Sequence, residues 1–461
     1  MKQAILIFII GFLFYGCGSG DSSSTNTETT NISEDTSSNI TTLSTSPDYI
    51  EAIPEDTTVV SKLAISPHTG GEIKTLVILV EYDNQPLSTS TLQWEDKIFG
   101  YNDKELNNYF QEVSKKKFKL VKAEETDDIA NDGIIKVHLN KNHLDTDINS
   151  IFFAQNLFND LNEAIAKSDT YIDYSKYDLN NDGYITTNEL AVIFVIAGYE
   201  DAFEGRHVTN GVWGHQSAMS TDIAPVADGV KLFNKSENGK YAVFGELHDE
   251  TSPHIATIGI IAHELGHAIF NLPDLYNTTG STGGIGYFGL MGAGLWTTKD
   301  NNENPGDTPA HLCAWSKTFV GWVTPIELQN TSTKLIQTSS KDYNVIKIPI
   351  SANHYYLLEN RNDSGYDRGL RESGKMFQGG VAIWHINQEK LTVDYFESNT
   401  VNSNTSDKGV DLVEANEPLL DIIPNYGGSY KALFFDPNRT TFGDKVTDIS
   451  EPGEFIYLNI N

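Results

Sequence analysis

The apolar positions of this chain fall into two patterns. From Ile73 the run IKTLVILVEY is unbroken and rich in β-branched residues, which predicts a strand buried on both faces, closed by an Asn84-Gln85-Pro86 loop. LAVIFVIAG, residues 190–198, predicts a second such strand. Between them, residues 103–114 and 151–166 carry apolar side chains at three- and four-residue spacing, the signature of amphipathic helices. A further helical run, ATIGIIAHELGHAIF, starts after Ile255 and stops in Asn271-Leu272-Pro273-Asp274. Past Trp322 the character changes: KLIQTSS, NVIKIPI, YYLLEN, GVAIWHI and EFIYLNI are short, β-prone and punctuated by Gly, Asn, Asp and Pro. The expectation is an α+β protein, with strands and helices alternating over 73–325 and a β-sandwich-like region over 326–461.

The start of the chain reads differently. MKQAILIFIIGFLFYGC holds one lysine and an apolar run too short to span a bilayer, ending in a small residue and a cysteine. Residues 1–16 are expected to be an export signal. They resemble a bacterial lipoprotein signal, with Cys17 as the lipid attachment point; a simple secretory signal is the alternative. Residues 17–72 are expected to form a lipid-attached flexible tether and a short lead-in, since Gly18 to Thr45 lacks the apolar content that offsets ordering entropy. The destination would be the outer membrane or cell surface, or else release outside the cell.

Composition narrows the partners. Two cores fit in 461 residues. A formal charge of −31 argues against nucleic acid and against an anionic membrane surface, leaving the lipid anchor as the expected membrane contact, and favours cations. Of two cysteines, acylation of Cys17 leaves Cys313, so no intramolecular disulfide is expected. Cys313 sits in an apolar stretch and reads as a small buried hydrophobe.

Two motifs carry chemistry. His263, Glu264 and His267 form H-E-x-x-H inside the helical run, where residues four apart lie on one face, so both imidazoles converge on one point. Neutral imidazoles suit Zn²⁺, and Glu264 is placed to take a proton from water whose pKa zinc lowers from about 16 to about 7. Ile258, Ile261, Ala262 and Leu265 give this helix a buried face, and Gly266 lets another backbone come close. The second motif, DLNNDGYITTNE at 178–189, fits the EF-hand loop D-x-[DN]-x-[DN]-G-x₅-E. Asp178, Asn180, Asp182, Tyr184 through its carbonyl, Thr186 and Glu189 would hold Ca²⁺, with Gly183 at the sharp turn. A strand follows, so an isolated structural loop is expected rather than a paired sensor; an Asn-Asp-Gly turn is the plainer alternative.

With these residues in place, the chain resembles the immune inhibitor A (M6-like) metallopeptidases, secreted zinc endopeptidases related to the metzincins. The likeness runs through ILVEYDNQP, YFQEVSKKKFKL, DLNNDGYI, FVIAGYED, VWGHQ, AHELGHAIFNLPDLYN, GIGYFGLMGAGLW and PAHLCAWSKTFVGW, in order over about 73–325, with YYLLENRNDSGYDRGL and GGVAIWHI beyond. It implies a zincin-type catalytic domain with a mixed sheet and a zinc helix. It also implies His263 and His267 as zinc ligands, Glu264 as general base, Met291 as the methionine of the turn beneath the metal, and bound calcium. In the metzincin-like pattern a glycine follows the second histidine by three residues and the third ligand comes three later; here Phe270 holds the glycine position and Asp274 arrives one residue late. Asn271 could absorb the extra residue, because Asn tolerates the left-handed conformation. Asp274 is the candidate third ligand or else a turn residue, with Glu246 and His248 in reserve. The implied activity is zinc-dependent endopeptidase cleavage of protein or peptide substrates. The alternatives are a non-catalytic, calcium-stabilised surface adhesin that keeps the fold, and an aminopeptidase. Neither oligomeric state nor natural substrate is legible here.

Overall fold

The structure, a computed structural model, describes residues 62–144, 153–206, 208–370 and 377–461. The expected signal, Cys17 and most of the tether lie outside the described residues. The first apolar run forms β1 (Gly71–Tyr82). Two helices follow, α1 (Thr91–Phe99), opened by a Ser90/Gln93 capping box, and α2 (Leu106–Val113). The second starts later than its spacing predicts because Lys104 takes φ 67°, which no helix accommodates. β2 (Phe118–Lys122) and β3 (Ile134–Leu139) run parallel to successive halves of β1, and α3 (Phe153–Ser168) packs on β3. The short β4 (Tyr184–Ile185) precedes β5 (Ala191–Glu200), which is parallel to β1 on its other edge.

After α4 (Asp201–Glu204), four short strands intervene: β6 (Gly211–Val212), β7 (His215–Ser217), β8 (Val226–Ala227) and β9 (Val230–Leu232). β10 (Tyr241–His248) then runs parallel to β5, and β11 (His254–Ile255) folds back on it before α5 (Ile258–Phe270) begins. The sheet order is β11-β10-β5-β1-β2, with β7 antiparallel on Tyr241–Val243 of β10. Along β1 the side chains alternate between two cores. Leu76, Ile78 and Val80 meet α3, while Ile73, Val77 and Leu79 share a core with α1, α2 and α5. Helices on both faces explain why this strand reads as an unbroken apolar run.

The remainder is rich in short strands. It comprises α6 (Ala314–Phe319), β12 (Ile326–Glu327), β13 (Thr331–Ile336), β14 (Ile346–Pro349), β15 (His354–Arg361), β16 (Gly380–Asn387), α7 (Val393–Glu397), β17 (Val410–Val413), α8 (Leu419–Ile422), β18 (Val446–Thr447) and β19 (Phe455–Ile460). A five-stranded sheet, β12-β14-β15-β16-β17, lies beside a three-stranded one, β13-β19-β18. Alternation again assigns the faces. Val381 and Ile383 pack with the three-stranded sheet, whereas Ala382 and Trp384 join the core that contains α2 and α5. The packing therefore runs without a break across residue 325, and the fold is a mixed α+β assembly.

Candidate metal centre

Local sequence fixes the helix that carries the motif. Thr257 precedes α5 in extended conformation, and every residue of the helix except His267 is buried. Two glycines let it sit deep. A Cβ on Gly259 would lie 1.9 Å from the Leu295 carbonyl oxygen, so backbone crosses backbone there. At Gly266 the close neighbour is a side chain, contrary to the backbone expected: a Cβ would meet Met291 Sδ at 2.9 Å. Met291 is fully buried against the helix at that point.

The extra residue after His267 is absorbed at the helix end. Phe270 completes the last turn and is locked in an aromatic cluster with Phe118 and Trp322, at centroid distances of 4.9 and 5.0 Å. Asn271 then adopts φ 55°, ψ 33°, and the Leu272 N–H donates to the Gly266 carbonyl at 3.1 Å, a Schellman-type ending. The left-handed residue has moved one place along, and Asp274 follows it by three, as the family spacing has it.

His263, His267 and Asp274 are brought together, and among the described residues they form the one group of three or more His, Cys, Asp or Glu whose ligating atoms lie within 4.8 Å of one another. His263 Nδ1 lies 3.0 Å from the Leu290 carbonyl oxygen and His267 Nδ1 2.5 Å from that of Leu272. A carbonyl only accepts, so each ring carries its proton on Nδ1 and turns a lone pair outward from Nε2. The two Nε2 atoms stand 3.1 Å apart, and Asp274 Oδ1 stands 3.1 and 3.2 Å from them. Three acceptors thus meet with no proton between them, their side chains 2, 11 and 3% exposed. That arrangement repels itself unless a cation occupies the centre or an imidazole takes up a proton. In the protonated case burial, which raises the Asp274 carboxyl, is outweighed by His267 and His263, which hold it well below its ordinary range. A tetrahedral ion with bonds of about 2.0 Å spaces its ligands ~3.3 Å apart, so the triad fits zinc in spacing and in donor type.

Glu264 stands beside the triad, 5% exposed. Burial pushes its carboxyl up, opposed by the nearby imidazoles and by the backbone N–H of Gln216 in β7. A carboxyl so placed takes and returns a proton more readily at neutral pH than an exposed one.

The reserve candidates lie elsewhere. Glu246 Oε1 accepts from the N–H and hydroxyl groups of Ser88 and Thr89, and His248 stacks on Phe203 at 4.4 Å; neither belongs to the triad. In the 178–189 loop the acidic oxygens turn inward on backbone. Asp178 accepts from Asp182 and Gly183, Asp182 from Tyr184, and Glu189 from Leu179 and Thr186, with Asn181 at φ 59° and Gly183 at φ 85°. Asp178, Asp182 and Glu189 do not gather within 4.8 Å as the triad does. Cys313 is buried and precedes α6.

Two contacts escaped the sequence reading. Asp274 Oδ2 accepts from Tyr276 Oη at 2.9 Å and from Asn399 Nδ2 at 2.6 Å. Tyr276 lies next to the motif and was within reach of inspection; Asn399, 125 residues away, carries no local signal.

Residues 136–323 match the family model of the immune inhibitor A peptidase M6 catalytic domain, which shows over that stretch the resemblance read from the motifs. Over 153 residues the chain is 29% identical to the pre-pro-metalloprotease PrtV of Vibrio cholerae serotype O1, in strains M66-2 and ATCC 39315 / El Tor Inaba N16961. That match covers 32% of this chain and 16% of the relatives' length. Among solved structures, wild-type OgpA from Akkermansia muciniphila aligns in two crystal forms with 12% identity and a TM-score of 0.27, covering 74 and 72% of this chain and 95 and 94% of that one. So low a score carries no argument.

Proposed function

From a chain whose residues 136–323 match the M6 peptidase catalytic domain, we propose a zinc-dependent endopeptidase that hydrolyses peptide bonds of proteins outside the cell. The observation that carries the reading is the meeting of two Nε2 lone pairs and one carboxylate oxygen, with Glu264 alongside. His263, His267 and Asp274 would hold the ion. When bound, zinc supplies Lewis acidity toward a carbonyl and acidifies water to a pKa of about 7. Glu264 accepts the proton from the attacking water and passes it to the leaving amine, a task suited to a carboxyl raised by burial. β7 is fixed to β10 along one edge and touches Glu264 through Gln216, and an extended peptide would pair beside this strand. Met291 packs as a floor under the helix at Gly266.

The fold is read as zincin-type with a sandwich-like C-terminal region, and the 178–189 loop as a structural calcium site. Cys17 acylation would anchor the exported protein. No described helix is long and apolar enough to cross a membrane. The test is cleavage of casein by the purified soluble chain with and without a zinc chelator. Glu264→Gln should retain zinc and lose at least ~10²-fold in turnover. Wild-type turnover in that variant, or a chelator without effect, would sink the endopeptidase reading; a zinc-bound chain that cleaves nothing would favour the adhesin.

A further inference from the structure

Asp274 sits on coil, between the end of α5 and a bend at Tyr276. A ligand on such a segment owes its aim to whatever grips it. The grip comes from residues 399–403, outside the stretch that the family model covers. Asn399 holds Asp274 twice: its Nδ2 donates to Oδ2 at 2.6 Å, and its Oδ1 accepts the Asp274 N–H at 3.2 Å. Next along, Asn402 Nδ2 donates to the Leu275 carbonyl at 2.9 Å, and Asn277 Nδ2 donates to the Ser403 carbonyl at 3.3 Å.

This suture is itself anchored. Asn399 takes φ 51° just past α7, with its N–H on the Phe396 carbonyl at 3.1 Å, and Asn402 exchanges two bonds with the backbone of Val410 in β17. With Oδ2 engaged by Asn399 and Tyr276, the carboxylate cannot rotate freely, and Oδ1 alone faces the two imidazoles.

We infer that Asn399 is a positioning residue of the metal centre, holding the Asp274 carboxylate so that a single oxygen is presented beside the Nε2 atoms of His263 and His267. The inference rests on the reading of that triad as a zinc site. It makes the region past residue 325 part of the site, because the third ligand is aimed from there.

The experiment uses the full soluble chain, stripped of metal and reloaded. Zinc affinity is measured by competition with a chromophoric chelator, the visible absorption of the Co²⁺-substituted protein reports ligand geometry, and the metal-free melting temperature reports the fold. Asn399→Ala should bind zinc about 10–100-fold more weakly, with a changed cobalt spectrum and little change in metal-free melting, the usual scale of a lost partner behind a ligand. Asn399→Asp keeps the shape but replaces the donor with a second carboxylate, so it should lose more than Asn399→Ala. A purely structural asparagine would behave the other way: both variants would lower metal-free melting and leave zinc affinity within about twofold of wild type, which overturns the inference. Should Asn399→Ala not fold, Asn399→Asp carries the test alone, and zinc affinity there within about twofold of wild type overturns the inference equally. A wild type that binds no zinc overturns the reading of the triad itself, an outcome distinct from zinc-binding variants that match wild type.

Discussion

Two buried polar clusters lie close together in this molecule, and they differ in where their positive charge comes from. Around Arg361 the chain supplies its own cation. The guanidinium meets Asp367 at 2.6 and 2.7 Å and the Phe288 carbonyl at 2.5 Å, while Tyr343 and Trp384 donate to Glu359. Arg361, Asp367 and Glu359 are all fully buried. In the triad the acceptors are arranged as tightly, yet the facing groups offer no proton and no charge. The first cluster is complete when the chain has folded; on the proposed reading the second would be completed by a metal ion from solution. What marks the candidate ligand site is a single oxygen: Asp274 Oδ1 faces two imidazole nitrogens, while Oδ2 accepts from Asn399 and Tyr276.

The comparison can be broken from either side. The largest effect is expected at the complete cluster, where Arg361→Met strands Asp367 and Glu359 and should cost about 3–5 kcal/mol of stability. Denaturant unfolding of metal-free protein measures this, and a loss below ~1 kcal/mol would mean the network is replaceable. At the open cluster, Asp274→Ala should weaken zinc by more than ~100-fold, beyond the range for second-sphere partners, while leaving metal-free stability unchanged or raised because a repulsive contact is gone. Zinc bound at full strength in that variant would show that another residue completes the site.

Acid should separate the clusters next. Burial raises the Asp367 carboxyl, but Arg361 and His311 outweigh it and hold it well below its ordinary 3.8. A carboxyl depressed in the folded state stabilises above its unfolded pKa and loses that contribution as pH falls below about 3.8 toward the folded value. Metal-free melting followed from pH 6 to pH 2 should show this steepening, and Asp367→Asn should flatten it. The smallest effect belongs to the 178–189 loop, whose oxygens already accept backbone N–H groups. Saturating calcium should raise melting by about 5 °C, and Asp182→Ala should abolish that rise. A calcium-independent melt would leave a self-satisfied turn.

Much of the fold was legible because it follows from short-range pattern. The unbroken apolar run at 73–82 predicts a strand covered on both faces, and the spacing in 255–270 predicts a helix with a buried face, which the structure extends to nearly the whole helix. Boundaries slipped where one backbone angle decided them, as at Lys104. The shared core was not legible: the residues that join α2 and α5 to β15 and β16 are ordinary apolar side chains in strands that alternate, and alternation does not say which partner lies on either face.

The sequence by itself determined the chemistry of the candidate site. Two histidines four apart on a helix must share a face, Glu264 must lie beside them, and Asn271 is a residue able to turn the chain left-handed, because all of these are consequences of helix geometry and side-chain type within a few residues. Only the tertiary structure decided whether Asp274 reaches the imidazoles, which nitrogen of each ring points inward, and that Asn399 aims the carboxylate. The His267 ring is set by a carbonyl five residues on, but the His263 ring is set by the Leu290 carbonyl and the carboxylate by Asn399, and a contact across 125 residues leaves no periodicity to read.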